Sequence, residues 1–152
     1  MKKHFTTLLK RSVVNMVKLL MGLKGSGKTK KLVDMVCEAI ENEKGDVVVI
    51  EKERKLTYDI PYKARLVDAG AYGIDSYELL KGMLCGMQAG NYDITEVFVD
   101  NFFKLVGDKS SESLVTFVKW LEKFSESESV NFVLSISADP AEMSEELKAY
   151  CI

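Results

Sequence analysis

A glycine-rich loop at residues 22–29 constrains the fold of this chain more than any other feature of its sequence. The loop matches the pattern G-x-x-x-x-G-K-S/T without departure, and its members are Gly22, Leu23, Lys24, Gly25, Ser26, Gly27, Lys28 and Thr29. An apolar run at residues 16–21 precedes it, and apolar residues at helical spacing follow over residues 28–43. The sequence therefore predicts a strand, a tight loop and a helix in direct succession.

Such a loop suits the binding of phosphate groups. Glycines adopt backbone angles that side chains forbid, so the loop amides can close around a phosphate. The helix that follows points its partially positive amino end at the same group. We expect Lys28 to reach the terminal phosphates and the Thr29 hydroxyl to bind Mg²⁺. The sequence therefore predicts a site for a nucleoside triphosphate, with ATP and Mg²⁺ as the expected ligands.

The rest of the chain alternates between strand and helix patterns. Further strands are expected at residues 46–51, 64–67, 95–100 and 130–136, with helices at 75–88, 111–124 and 139–150. Asp75 with Glu78 is expected to cap the first of these helices, and Asp139 with Pro140 the last. Because parallel strands need crossover connections, we predict an α/β fold, a three-layer parallel sheet of about five strands with helices on both faces.

Length and composition limit the number of domains and the kinds of catalytic, disulfide or metal site that the chain can form. The chain has 152 residues, which suits one domain over residues 16–152 after an N-terminal extension at 1–15. Met16 is an alternative translation start. No apolar run has the length of a membrane span, and three isolated cysteines without a disulfide pattern make a reducing cytoplasm the expected location. One histidine and three isolated cysteines provide no histidine-based catalytic triad, disulfide framework or zinc site.

Positive charge is concentrated around the glycine-rich loop. Residues 1–33 hold nine lysines or arginines and no acidic residue, although the net charge of the whole chain is -2. The local field favours an anionic ligand, and the loop favours a nucleotide over nucleic acid as that ligand. A solvated basic face is the alternative interpretation.

With this loop the chain resembles the P-loop NTPase superfamily, and the resemblance covers nearly the whole chain in layout. Residues 97–100 (VFVD) look like the second motif of that superfamily. The resemblance implies that Asp100 holds Mg²⁺ together with Thr29. The chain shows neither the D-x-x-G nor the N-K-x-D motif of small GTPases, which disfavours GTP. It is also similar to short bacterial P-loop proteins often catalogued as twitching-motility ATPases.

Two branches of the superfamily are similar to this chain. RecA-like ATPases place a catalytic glutamate at the end of the strand after the first helix, where this chain has Glu51. Thymidine kinases carry D-E-x-x-F-F after the magnesium strand, and here Asn101 replaces the glutamate that serves as base. Asn101 cannot remove a proton, but its hydrogen bonds can position water. The alternative for Glu51 is a strand-end charge that faces solvent.

Three functions are compatible with these features. The first is a slow Mg²⁺-dependent ATPase or ATP-driven switch, in which Glu51 positions water and Ser135 contacts the terminal phosphate. The second is a nucleotide-gated binding module without significant turnover, which acts on an unidentified protein partner. The third is a small-molecule kinase of the thymidine-kinase type, whose acceptor site Tyr58, Tyr62 and Tyr72 would line.

Overall fold

The computed structural model describes residues 16–42 and 44–152. Its strands are β1 (Val17–Gly22), β2 (Asp46–Glu51), β3 (Arg65–Asp68), β4 (Ile94–Val99) and β5 (Asn131–Ser137). Its helices are α1 (Lys28–Asn42), α2 (Tyr77–Gly90), α3 (Phe102–Val106), α4 (Ser111–Glu128) and α5 (Glu145–Lys148), with short 3-10 helices at Ala69–Tyr72 and Pro140–Glu142. The expected N-terminal extension and Glu43, the last residue expected in α1, lie outside the described residues.

The five strands form one parallel sheet in the order β1-β5-β4-β2-β3. All strand carboxyl ends therefore lie at the same edge of the sheet. The outer side of β1 is covered by the end of the chain, since Leu19 N–H donates to Tyr150 O at 2.8 Å and Ile152 N–H donates to Leu19 O at 3.0 Å. Within the described ranges, β3 pairs only with β2.

Apolar side chains fill a core on each face of the sheet. Val49 of β2 belongs to the core that includes Leu32 of α1. Its neighbour Val48 belongs to the opposite core, with Leu80 of α2 and Leu121 of α4. This alternation is expected of a parallel strand covered on both faces. The protein is thus α/β, with a parallel sheet and helices that fit the predicted three-layer arrangement.

No helix in residues 16–42 and 44–152 combines the length and the apolar character that a bilayer span requires.

Two sequence-based expectations about helix ends are wrong. α2 is capped by Ser76 rather than Asp75, because Ser76 has extended backbone angles and its Oγ accepts a first-turn N–H at 3.2 Å. The continuous helix expected over residues 139–150 is also wrong. Met143 has an extended backbone, and Ser144 then caps a separate short helix.

Candidate functional site

The glycine-rich loop connects the carboxyl end of β1 to the first residue of α1. Gly25 and Gly27 have φ angles of +85° and +87°, a region that costs other residues about 1–2 kcal/mol. A Cβ added at Gly22 would lie 2.6 Å from Ser26 Oγ. Ser26 N–H donates to Leu23 O at 3.1 Å and closes the turn. The backbone angles of Gly25 and Gly27 therefore favour glycine, and Gly22 packs closely against the Ser26 side chain.

Lys28 begins α1 and folds back over the loop, where its Nζ donates to Leu23 O at 2.9 Å. The first turn of α1 contains no acidic residue and carries Lys30 and Lys31 as well. Cations at a helix amino end are unfavourable, because that end already carries partial positive charge. Thr29 lies exposed in the same turn. This arrangement favours an anion at the amino end of α1.

Asp100 follows β4 at the same edge of the sheet, and its N–H donates to Ile50 O at 2.9 Å. Its Oδ1 is buried and has no hydrogen-bond partner among the described residues. Burial raises the pKa of the Asp100 carboxyl, whereas Ser135, the Asn101 backbone amide and the Lys28 charge lower it. A buried carboxylate oxygen without a partner is costly, and it suits an oxygen ligand to a cation.

Strand β5 lies between the glycine-rich loop and Asp100 and contributes Ser135. Ser135 is only 2% exposed and is paired in register with Leu20 of β1. Its interaction with the Asp100 carboxylate shows that the two side chains are close. Ser137, two residues further, is exposed and is paired with Gly22. Ser135 is therefore next to Asp100, and Ser137 is next to the start of the loop.

Glu51, at the end of β2, is 3% exposed, so the alternative of a solvent-facing charge is wrong. Its Oε1 accepts the Lys55 N–H at 2.7 Å, and its Oε2 accepts the Leu56 N–H at 3.2 Å. Burial raises the pKa of Glu51; these backbone amides oppose the shift, and the Asp100 charge adds to it. Glu51 is thus close to Asp100 and also holds the backbone that follows β2.

Asn101 connects Asp100 to α3 in a left-handed conformation, with φ 51° and ψ 55°. It is at the N-cap position of α3, yet its side chain makes no capping hydrogen bond. Asparagine tolerates this backbone region better than most residues. The side-chain amide of Asn101 is therefore not used for capping in this left-handed turn.

Three lysines around Glu53 cover the carboxyl ends of β2 and β4, and we call Lys52, Lys55, Lys104 and Glu53 the lysine cluster. Glu53 Oε2 lies 3.1 Å from Lys55 Nζ, and Glu53 Oε1 lies 3.4 Å from Lys104 Nζ. Lys52 Nζ donates to Lys104 O at 3.3 Å. The cluster lines a small cavity together with Glu51, Asp100 and Asn101.

No sequence motif singled out the lysine cluster. Its one sequence signal is the run of charges at residues 51–55 directly after a buried strand. Lys104 belongs to a different element and meets that run only through the pairing of β2 with β4.

A larger groove of about 1140 Å³ lies along β3 and α2, and Tyr62 and Tyr72 line it. Tyr58 is fully exposed and is not among its lining residues. The groove shares no lining residue with the cavity at Glu51 and Asp100. Acceptor binding by Tyr62 and Tyr72 therefore stays a prediction, without a contact that connects it to the glycine-rich loop.

A scan against protein-family models found no match for this chain, and a search of curated proteins found none either.

Proposed function

We propose that this protein binds ATP with Mg²⁺ through the glycine-rich loop and acts as a slow ATPase or ATP-driven switch of the P-loop NTPase type. One observation carries the proposal. Half-buried Asp100, whose buried Oδ1 has no hydrogen-bond partner among the described residues, lies within the electrostatic reach of Lys28, the lysine of the glycine-rich loop. The proposed cation and anion sites are thus adjacent at the carboxyl ends of the strands, where α/β sheets bind ligands.

The loop amides, the amino end of α1 and Lys28 would hold the phosphates. Loop glycines at positive φ leave room for close approach to the backbone, and α1 has no acid in its first turn to repel an anion. Leu23 and Lys24 extend along the exposed side of the loop. A bound phosphate would offset the positive charge of this lysine-rich helix start.

The residues present fit Mg²⁺. Thr29 offers an exposed hydroxyl, and Asp100 offers a carboxylate oxygen that lacks a partner. Among the described residues no group of three or more histidine, cysteine or acidic side chains could hold a metal by itself. Magnesium commonly binds one or two protein oxygens together with substrate phosphates and water. When bound, the ion would offset the charge of the terminal phosphates.

Hydrolysis requires a group that orients the attacking water, and Glu51 is the proposed residue. Its Oε1 accepts the Lys55 and Leu56 N–H groups, and its Oε2 accepts the Leu56 N–H alone, so Oε2 has capacity for a further hydrogen bond. Glu51 is near Asp100, with Asn101 as a further amide that can position water. Because Glu51 also holds the backbone of residues 55–56, we propose slow turnover.

The backbone hydrogen bonds of Glu51 favour a second candidate, a nucleotide-gated binding module without significant turnover. If the hydrogen bonds to Lys55 and Leu56 fully occupy Glu51, no carboxylate remains to orient water. Binding would then change the surface presented to a protein partner. A nucleic-acid partner stays less favoured, and a cytoplasmic location stays a prediction.

Release of labelled phosphate from ATP with Mg²⁺ tests the hydrolysis proposal. The wild type should release phosphate above the protein-free background, and Glu51→Gln should lower the rate by about 100-fold or more. Glu41→Gln on the exposed face of α1 is the matched control. Retained ATP binding by Glu51→Gln would show that the variant is folded.

Background release by the wild type, with ATP binding intact, would contradict hydrolysis and support the binding module. Label transferred to an added nucleoside would instead support the kinase.

A further inference from the structure

The lysine cluster brings two half-exposed ammonium groups to one carboxylate beside the proposed site. Glu53 bridges Lys55 and Lys104 at 3.1 and 3.4 Å, and all three side chains are 44–64% exposed. These ion pairs lower the pKa of Glu53, so its carboxylate is ionised at neutral pH. Exposed ion pairs contribute little to stability and can be exchanged for another anion.

The cluster lies on the far side of Asp100 from the glycine-rich loop. In the sheet, β5 separates β1 from β4, and β2 follows β4, so the end of β2 that precedes Lys55 is three strand spacings, about 14 Å, from β1. Lys28 and Lys55 both act electrostatically on the Asp100 carboxylate. An anion that is bound at Lys28 and extends past Asp100 would therefore come close to Lys55.

A terminal phosphate would suit the two ammonium groups better than Glu53 does. A phosphate group carries up to two negative charges and has three acceptor oxygens, whereas a carboxylate carries one charge on two oxygens. The exchange moves Glu53 towards solvent, where about half of its side chain already lies.

We propose that Lys55 and Lys104 contact the terminal phosphate of the bound triphosphate, and that Glu53 occupies its place when that phosphate is missing. These lysines then determine the preference for a triphosphate over a diphosphate, while Lys28 holds the phosphate that both nucleotides share. This inference rests on the proposed function, because it assumes a nucleotide at the glycine-rich loop. Displacement of Glu53 breaks the ion pair that links the segment after β2 to Lys104 of α3, and this local change is the one that a switch would use.

Calorimetric titrations with ATP and with ADP, both with Mg²⁺, test the proposal. Lys55→Met and Lys104→Met should each weaken ATP binding about fivefold to tenfold and leave ADP affinity unchanged. Lys55→Arg should keep most of the ATP preference, because it keeps the charge. Glu53→Gln should raise ATP affinity relative to ADP, because the competing carboxylate is lost.

The matched control is Lys123→Met on the exposed side of α4, which should change neither affinity. Equal weakening of ATP and ADP by Lys55→Met and Lys104→Met, or no change in either, would overturn the proposal. Wild-type protein that binds both nucleotides with the same affinity would overturn it as well. Wild-type protein that binds neither would overturn the proposed function, and this inference with it.

Discussion

The Lys28 ammonium acts electrostatically on the Asp100 carboxylate across the carboxyl edge of the sheet, although Lys28 begins α1 and Asp100 follows β4. Burial raises the pKa of Asp100, and the Lys28 ammonium acts in the opposite direction. The strand between them, β5, places Ser135 beside Asp100. The relationship places the end of the glycine-rich loop and the proposed metal ligand at the same edge of the sheet.

Asp100→Asn should stabilise the nucleotide-free protein while it removes the effect of Mg²⁺ on ATP binding. The substitution replaces a half-buried carboxylate whose buried Oδ1 has no hydrogen-bond partner among the described residues, so the free energy of unfolding should rise by about 0.5–2 kcal/mol. Urea unfolding and ATP titrations with and without Mg²⁺ measure the two effects. Asp34→Asn, at an exposed position of α1, is the control. A variant that is less stable and still responds to Mg²⁺ would contradict the metal role.

Asn101 and Ser129 form a matched pair, because they are the two non-glycine residues with positive φ in the described part of the chain. Asn101→Gly and Ser129→Gly should both leave the free energy of unfolding within about 1 kcal/mol of the wild type, since glycine accepts these angles. Only Asn101→Gly should slow phosphate release, by about tenfold or more, because it removes a group that positions water. Equal rates for the two variants would show that the Asn101 amide has no role in turnover.

Tyr150→Phe should destabilise the end of the chain where it covers the outer side of β1, and the size of this effect should depend on pH. Burial, the 2.8 Å hydrogen bond to Glu122 and the nearby negative charges raise the pKa of Tyr150 to about 12, from an ordinary value of 10.0. The hydroxyl should contribute about 1 kcal/mol at neutral pH. Because the folded-state pKa is raised, this contribution is fully present below pH 10 and is lost as the pH rises through 12.

Urea unfolding monitored by the fluorescence of Trp120, the only tryptophan, measures this contribution. The difference between the wild type and Tyr150→Phe should be smaller at about pH 11 than at about pH 7. A difference that stays constant between these two pH values would contradict the proposed linkage.

Much of the fold could be predicted from the sequence where a long element has a clear period. Apolar runs bounded by glycine or charge located β1 and β2 to within one residue, and helical spacing located the start of α1. The five-residue helix α3 was not predicted, because it is too short and too uniformly apolar to show a period. The break at Met143 depends on local backbone angles, which no periodic pattern encodes.

The site could be predicted only in part. A continuous motif identified the glycine-rich loop, and a strand end identified Asp100. The order of the strands decides which strand ends become neighbours, and nothing in the local sequence fixes that order. The hydrogen bonds of Glu51 and the meeting of Glu53 with Lys104 both depend on residues 52–56 folding back over the sheet edge. Local patterns therefore revealed the candidate residues but not the lysine cluster.

Calorimetric titration of the wild type and Lys28→Ala with ATP and Mg²⁺ tests the central claim most directly. The wild type should bind ATP, and Lys28→Ala should bind it about tenfold to hundredfold more weakly, because a charge-assisted hydrogen bond to phosphate is lost. Lys123→Ala, which removes an equal charge from the exposed side of α4, should bind ATP like the wild type. No binding by the wild type, or equal binding by Lys28→Ala, would contradict the claim that this loop holds a nucleoside triphosphate.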